Sequence, residues 1–289
     1  MTQKPVPSQD ALLAFRNSDG GWGYASSKSS RVEPTCWSLL AIARLGGRPI
    51  DVEVLLRWKR QDGWFVDIPG APVNYAFNAL AALTLSAHKE GEAHALRIAS
   101  QLLDVRGMKF AQGKEIRQDN SLQAWPWIDA TFSWVEPTSM CLLLIKKLRA
   151  KLPAAAVDDR IDIAERMLLD RACVAGGWNY GGSNVYGQEL FPYLPTTALG
   201  LLAMQDRAKD PTVQRAHQWL QKEALTEPSA QALSLALVAL GVFRTPAPAL
   251  EQALRKHLTD NSSEIGVMGL ATALYALTRS PNGESAFAL

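Results

Sequence analysis

Three cysteines, Cys36, Cys141 and Cys173, are scattered through 289 residues, too few and too far apart for a disulfide framework. Two of them fall in apolar stretches of helical pattern, where a reduced thiol packs as a small hydrophobe. Histidine is as scarce: His88, His94, His217 and His257 lie on or beside surface segments, none at a metal-ligand spacing from a cysteine. No metal and no cofactor is expected. Neither sign of charge dominates, with 30 basic residues against 28 acidic, so nucleic acid is not expected as a partner. Gly181-Gly182-Ser183 lacks the Lys-Ser/Thr of a phosphate loop, which removes nucleotide binding. No apolar run reaches the length of a membrane span, and the first ten residues carry no stretch of the kind a secretory signal needs. The expected location is the cytoplasm, with room for a peripheral membrane contact through a surface patch and for a protein partner.

What the chain has is repetition. Glu33-Pro34-Thr35-Cys36-Trp37 opens an apolar stretch that returns at Glu136-Pro137-Thr138-Ser139-Met140, at Leu194-Pro195-Thr196-Thr197 and at Glu227-Pro228-Ser229-Ala230. Weaker copies begin at Pro72 and Ser263, making six. Each copy reads as a helix with proline at its first position, where the missing N–H loses no intrahelical bond. The bodies are apolar on nearly every side and must be buried all round. Ahead of each lies a segment with one apolar face, such as Val157, Ile161, Ala164 and Leu168, or Leu250, Leu254 and Leu258. These outer helices fall near residues 8–16, 50–60, 92–104, 157–172, 211–223 and 247–259. Six alternating pairs that bury their faces only by stacking form an open solenoid or a closed ring, and the near-absence of polar residues on the inner helices favours the ring. The expected fold is all-α, an (α/α)6 toroid of six inner and six outer helices over residues 1–289, with residues 1–7 as a flexible N-terminus. Two outer-to-inner loops, 107–134 and 176–194, are long, and extended loops on one rim of a rigid scaffold are where function usually sits.

Asp19-Gly20-Gly21-Trp22-Gly23, Gln61-Asp62-Gly63-Trp64 and Gly176-Gly177-Trp178-Asn179, each ahead of an inner-helix start, resemble the Gln/Gly/Trp repeat of the squalene and oxidosqualene cyclases and of the related prenyltransferase β-type toroids. The resemblance covers almost the whole chain. It implies the toroid fold and an isoprenoid-like apolar substrate. In the cyclases an Asp-x-Asp-Asp-Thr segment opens an inner helix, and its middle acid protonates an alkene or epoxide. The matching stretch is Trp134-Val135-Glu136-Pro137-Thr138, in which Glu136 alone keeps a carboxyl group, at the place of the proton donor, while Trp134 and Pro137 replace the flanking aspartates. At a helix N-terminus the dipole favours the ionised form of such a glutamate, and burial would have to raise its pKa. The Asp, Cys and His zinc triad of the prenyltransferases has no match. Asp158-Asp159-Arg160-Ile161-Asp162 resembles the magnesium-binding pattern of diphosphate-ionising terpene synthases, but opens an outer helix, where acids are expected in the first turn.

Glu33, Glu136 and Glu227 precede alternate inner helices, so in a closed ring they form a polar collar on one rim or serve as helix-start residues favoured by the dipole. The candidate catalytic set is Glu136, Glu33 and Asp129. Aromatic residues crowd the same loops and helix starts; Trp37, Tyr75, Trp125, Trp127, Phe132, Trp134, Trp178 and Tyr180, with Glu227, form the candidate substrate-binding set. Their π-faces can cradle an isoprenoid and stabilise a carbocation, or they anchor loops and wedge the core. Three readings stay open: a terpene cyclase-like enzyme with Glu136 as acid, a non-catalytic isoprenoid-binding or scaffold toroid, and a carbohydrate-active α/α barrel with Glu136 and Asp129 as its carboxyl pair.

Overall fold

Burial on every side or on one side alone sorts the helices into two sets. The computed structural model describes residues 8–46, 51–66, 68–113, 117–260, 265–278 and 285–289. Among them twelve α-helices follow in chain order: α1 (Gln9–Leu13), α2 (Val32–Arg44), α3 (Val52–Leu56), α4 (Tyr75–Ser86), α5 (Glu92–Leu102), α6 (Val135–Leu148), α7 (Ala154–Arg171), α8 (Leu194–Ala203), α9 (Pro211–Glu223), α10 (Ala230–Val242), α11 (Pro248–Asp260) and α12 (Val267–Leu277). In α4 every residue but Phe77 and Ser86 is buried, whereas α11 buries only Leu250, Leu254 and Leu258, one stripe at helical spacing. Even-numbered helices form the inner set: α2 packs on α4, α4 on α6, α6 on α8, α8 on α10, α10 on α12, and α12 returns to α2. The ring is closed. The odd-numbered helices lie outside it, α5 against α4 and α6, α9 against α8 and α10, α11 against α10 and α12. The expected flexible N-terminus (1–7), the first residue of the expected second outer helix and the expected sixth inner start at Ser263 lie outside the described residues. The only strands among the described residues are a hairpin of β1 (Asn184–Val185) and β2 (Gln188–Glu189) in the long loop before α8.

Four hydroxyls inside the apolar helices satisfy themselves, while Ser38 Oγ of α2 is buried without a partner among the described residues. Thr84, Ser139, Ser234 and Thr272 each donate to the carbonyl four residues back, at 2.6–2.9 Å, so their burial leaves no polar group without a partner. An ion cluster joins α6, α7 and the turn after α8. Lys146 Nζ lies 2.7 Å from Glu165 Oε1 and 2.6 Å from Asp206 Oδ1, and Arg207 holds the other oxygen of Glu165 at 2.5 Å.

Proline positions depart from the expected first helical residue. Pro34 and Pro137 are third in α2 and α6, Pro195 is second in α8, and Pro72 and Pro228 stand outside their helices. The first four N–H groups of a helix have no intrahelical partner, so proline is tolerated through the whole first turn. Where Asn74 or Ser229 caps the helix with its side chain, proline falls ahead of the cap.

A short segment closes the far mouth of the ring, at the C-terminal ends of the inner helices. The Phe287 ring is fully buried, stacked on Trp37 of α2 at 5.0 Å and edge-on to Tyr275 of α12 at 5.5 Å. Its carbonyl accepts from Gln205 Nε2, just after α8, at 2.9 Å, and the next carbonyl, of Ala288, accepts from Lys147 Nζ of α6 at 2.6 Å. Because α6 and α8 stand opposite α12 and α2 in the ring, residues 285–289 lie across its mouth.

Candidate functional site

The near rim, where the inner helices start, is built from a clamp repeated in four loops. The backbone N–H groups of Trp22, Trp125 and Trp178 donate to the hydroxyls of Thr35, Thr138 and Thr197, at 2.9, 3.3 and 2.9 Å. The three indole N–H groups donate back to carbonyls near the ends of the preceding outer helices, Leu12, Leu102 and Leu168. In the second repeat Phe65, and not Trp64, takes this place: its N–H donates to Asn78 Oδ1 at 2.8 Å. The sequence match at Gly63-Trp64 is therefore one residue out of register. Asp62 holds the N–H of Trp64 as Asp19 holds that of Gly21, and Gly63 and Gly20 share the positive φ that the turn needs.

This clamp decides the role of two expected ligand-binding residues. Trp125 and Trp178 present no surface to solvent, so neither can touch a ligand while its clamp is intact. Arg160 lies 4.0 Å over the Trp125 ring and donates to the carbonyls of Gln123 and Val105. Trp178 fits only because residue 200 is glycine, where a Cβ would stand 2.6 Å from the indole. Trp37 is also placed away from the rim, under the Phe287 plug.

Two residues past the clamp tryptophan, the loop reaches the neighbouring inner helix. The carbonyl of Trp127 accepts the first N–H of α4, from Tyr75, and that of Tyr180 accepts the first N–H of α6, from Val135, both at 2.9 Å. These bonds satisfy helix-start donors and place an aromatic side chain on the rim. Tyr24 occupies the same position after Trp22. The signal was present in the sequence as Trp22-x-Tyr24, Trp125-x-Trp127 and Trp178-x-Tyr180, and it adds Tyr24 to the site.

Glu33 and Glu136 are each the second residue of their helix. Tyr24 Oη donates to Glu33 Oε2 at 2.6 Å. Glu136 is half-buried, and no hydrogen bond or ion pair engages its carboxyl group among the described residues. Desolvation, with the charge of Glu33 second, pushes its pKa up to about 7. Burial thus outweighs the preference of the helix dipole for the ionised form. With α4 alone between α2 and α6 in the ring, the charge of Glu33 reaches the Glu136 carboxyl group. Asp129 does not pair with Glu136 by hydrogen bonding; it accepts from the Tyr75 hydroxyl at 2.5 Å. Burial, then Asp129, raises the Tyr75 phenol and keeps it a proton-bearing donor. Glu227 accepts the N–H of Ser229 at 3.0 Å, a helix-start contact.

The remaining aromatics divide between the rim and a loop pocket. Trp127 meets Phe77 edge-on at 6.4 Å, and Tyr180 lies 5.2 Å from Tyr193. Trp134 caps α6 and stacks on Phe132 at 4.5 Å. Phe132 faces a separate cavity with Phe110 and Met108, two residues the sequence reading did not select. The aspartate cluster does not assemble: α7 begins four residues before Asp158, Asp158 pairs with Arg149, and Asp162 pairs with Arg166. Among the described residues no three His, Cys, Asp or Glu side chains gather into a metal-ligand group, and no helix is long and apolar enough to cross a membrane.

No family model matches the chain, and no curated protein matches it. Solved structures do share its architecture. It resembles a protein from Actinoplanes at 17% identity and a TM-score of 0.59, over 93% of this chain and 96% of that one. It resembles ent-copalyl diphosphate synthase from Streptomyces platensis at 16% identity and a TM-score of 0.56, over 86% of this chain and half of that one. A family 76 glycoside hydrolase from a bovine Bacteroides thetaiotaomicron strain aligns at 11% identity and a TM-score of 0.59, over 93% and 76%. At such identities the likeness reaches the fold and not the squalene cyclase family in particular. The chain is an (α/α)6 toroid.

Proposed function

We propose that this toroid is a terpene cyclase-like enzyme in which Glu136 acts as general acid on an isoprenoid-like apolar substrate at the near rim. One observation carries the reading: a half-buried carboxyl group without a hydrogen-bond partner, held by desolvation and by Glu33 at a pKa of about 7. Such a group is protonated in a useful fraction of molecules near neutral pH and is a strong enough acid to give the proton up. The proton passes to an alkene carbon of the substrate, leaving a carbocation and the Glu136 carboxylate. Loss of a proton from the cyclised cation restores the count, so the net change is an isomerisation. Trp127, Trp134 and Tyr180 supply π-faces near the acid that favour a cation over water. The likeness to ent-copalyl diphosphate synthase supports this reading through the fold alone. A cytoplasmic or membrane-peripheral location belongs to the same proposal.

A second reading rests on the coupling of Glu33 to Glu136. Two carboxyl groups on one rim, one of them raised to a pKa of about 7 by burial and by the charge of the other, are the equipment of a glycosidase, and the glycoside hydrolase neighbour supports it through the fold. One experiment separates the two. The protein, Glu136→Gln and Glu33→Gln are incubated with linear isoprenoids of several lengths and with a panel of oligosaccharides. The proposal expects a cyclic or isomerised isoprenoid whose formation falls by a factor of about 100 or more in Glu136→Gln, the range for loss of a general acid. Sugar release lost in both variants supports the glycosidase. Equal turnover by the protein and Glu136→Gln, or no product from any substrate, contradicts an acid role.

A further inference from the structure

Residues 108–111, 118–122 and 132–133, with Arg171 at the end of α7, line an open cavity of about 500 Å³ that the acid site does not use. Its wall is apolar: Met108, Phe110 and Phe132 line it, each more than a third exposed, with Leu122 behind them. Phe110 meets Phe132 edge-on at 5.6 Å, which holds two rings of the wall in place. Large apolar side chains left open around one concavity are the usual mark of a missing occupant.

The polar end of the cavity identifies the chemistry of that occupant. Arg171 lines it and is 4% exposed; Nη1 donates to Asp170 at 2.8 Å and Nη2 to the carbonyl of Asp119 at 3.2 Å, but Nε has no partner. Asn120, also buried, accepts from Gln118 through Oδ1 at 3.1 Å, and its amide nitrogen has no partner among the described residues. The spare buried group is therefore a donor, Arg171 Nε, and a buried donor without an acceptor costs about 1–3 kcal/mol. The charge of Arg171 is already met, by Asp170 at bonding distance and by Asp119 close by. A second anion would face two carboxylates for one guanidinium.

We propose that this cavity binds an uncharged, elongated apolar molecule carrying a single hydrogen-bond acceptor at one end, of the chemical class of a long-chain alcohol. At roughly 30 Å³ per non-hydrogen atom, the volume a water molecule takes in the liquid, the cavity holds about 17 such atoms. The site is independent of the acid reading and stands or falls separately from it.

The neutral dye N-phenyl-1-naphthylamine tests it, since its fluorescence rises in apolar surroundings. The full chain is titrated with the dye, and the bound dye is then displaced with dodecan-1-ol or with dodecanoate, which differ in end-group charge. Saturable binding, displacement by the alcohol at a concentration at least tenfold below that of the carboxylate, and at least tenfold weaker dye binding by Ala111→Trp are expected. Ala111 is an exposed residue at the cavity, so the larger side chain obstructs the site without disturbing the core, and circular dichroism checks that the variant is folded. No dye binding, equal displacement by alcohol and carboxylate, or unchanged binding in folded Ala111→Trp overturns the proposal. So does self-association in sedimentation that Ala111→Trp abolishes while the dye does not bind, which assigns the cavity to a protein contact.

Discussion

Glu33 and Glu136 occupy the same place in two repeats, second residue of an inner helix, and with one inner helix between them the charge of Glu33 raises the pKa of Glu136. Glu33 carries a hydrogen bond from Tyr24, and Glu136 carries none. Repetition placed two carboxyl groups on one rim, and burial, with the charge of Glu33 second, raises Glu136.

That arrangement sets a pH dependence. The folded pKa of Glu136 lies above its ordinary value of 4.5, at about 7. Its contribution to stability is therefore fully present below pH 4.5 and is lost as pH rises through 7. Over that window the protein should lose about 3–4 kcal/mol of stability from this group, at about 1.4 kcal/mol per pKa unit. Urea unfolding at intervals of pH should show the decline in the natural protein and its absence in Glu136→Gln.

The loop clamps make a second prediction. Thr35→Val removes the acceptor of the Trp22 N–H and the donor to the Trp22 carbonyl, leaving a buried N–H without a partner, at a cost of about 1–3 kcal/mol. Trp125→Ala empties a fully buried site and should cost about 3–5 kcal/mol. Denaturant unfolding measures both, and a change below 0.5 kcal/mol in either, against the usual spread for surface substitutions of about that size, would place the clamp outside the cooperative core.

Acid sensitivity should come from the other charged cluster. Desolvation raises the Glu165 carboxyl, but hydrogen bonds from Arg207 and Lys146, with their charges, outweigh it and hold Glu165 below its ordinary 4.5. Its stabilisation is present above pH 4.5 and lost as pH falls through the lowered value. Glu165→Gln should flatten that acid limb in thermal unfolding, and Lys146→Met, which leaves Glu165 buried with Arg207 alone, should cost about 3 kcal/mol near neutrality.

The plug at the far mouth is testable through its ring. Phe287→Ala leaves a cavity against Trp37 and Tyr275 and should destabilise by about 3–4 kcal/mol. Trp37 fluorescence should shift to the red as water reaches the indole. An unchanged spectrum and an unchanged unfolding midpoint would mean that residues 285–289 do not seal the ring.

Much of the architecture was legible because an inner helix is apolar on every face and an outer one on a single stripe, and that difference survives in the residue order of α4 and α11. Proline does not fix the helix register, because it is tolerated throughout the first turn. Trp125 and Trp178 could not be told from ligand-facing residues by type, since an indole wedged under a loop and one facing a lumen have the same letter; only the partner of the N–H separates them. The plug was invisible, as Phe287 belongs to no repeat. The Glu33–Glu136 relation was readable from repeat position, whereas the Glu136 pKa depends on how far the carboxyl group is withdrawn from water, which no spacing reports. The Asp129 carboxyl group takes a hydrogen bond from Tyr75, a contact across more than fifty residues that no local spacing reports.

The most direct measurement is the titration of the Glu136 carboxyl carbon by NMR in protein labelled at glutamate, with Glu136→Gln assigning the signal. A midpoint near 7 that falls in Glu33→Gln is predicted. A midpoint at or below the ordinary 4.5, or one indifferent to Glu33, would contradict a proton-bearing acid at the mouth of this ring.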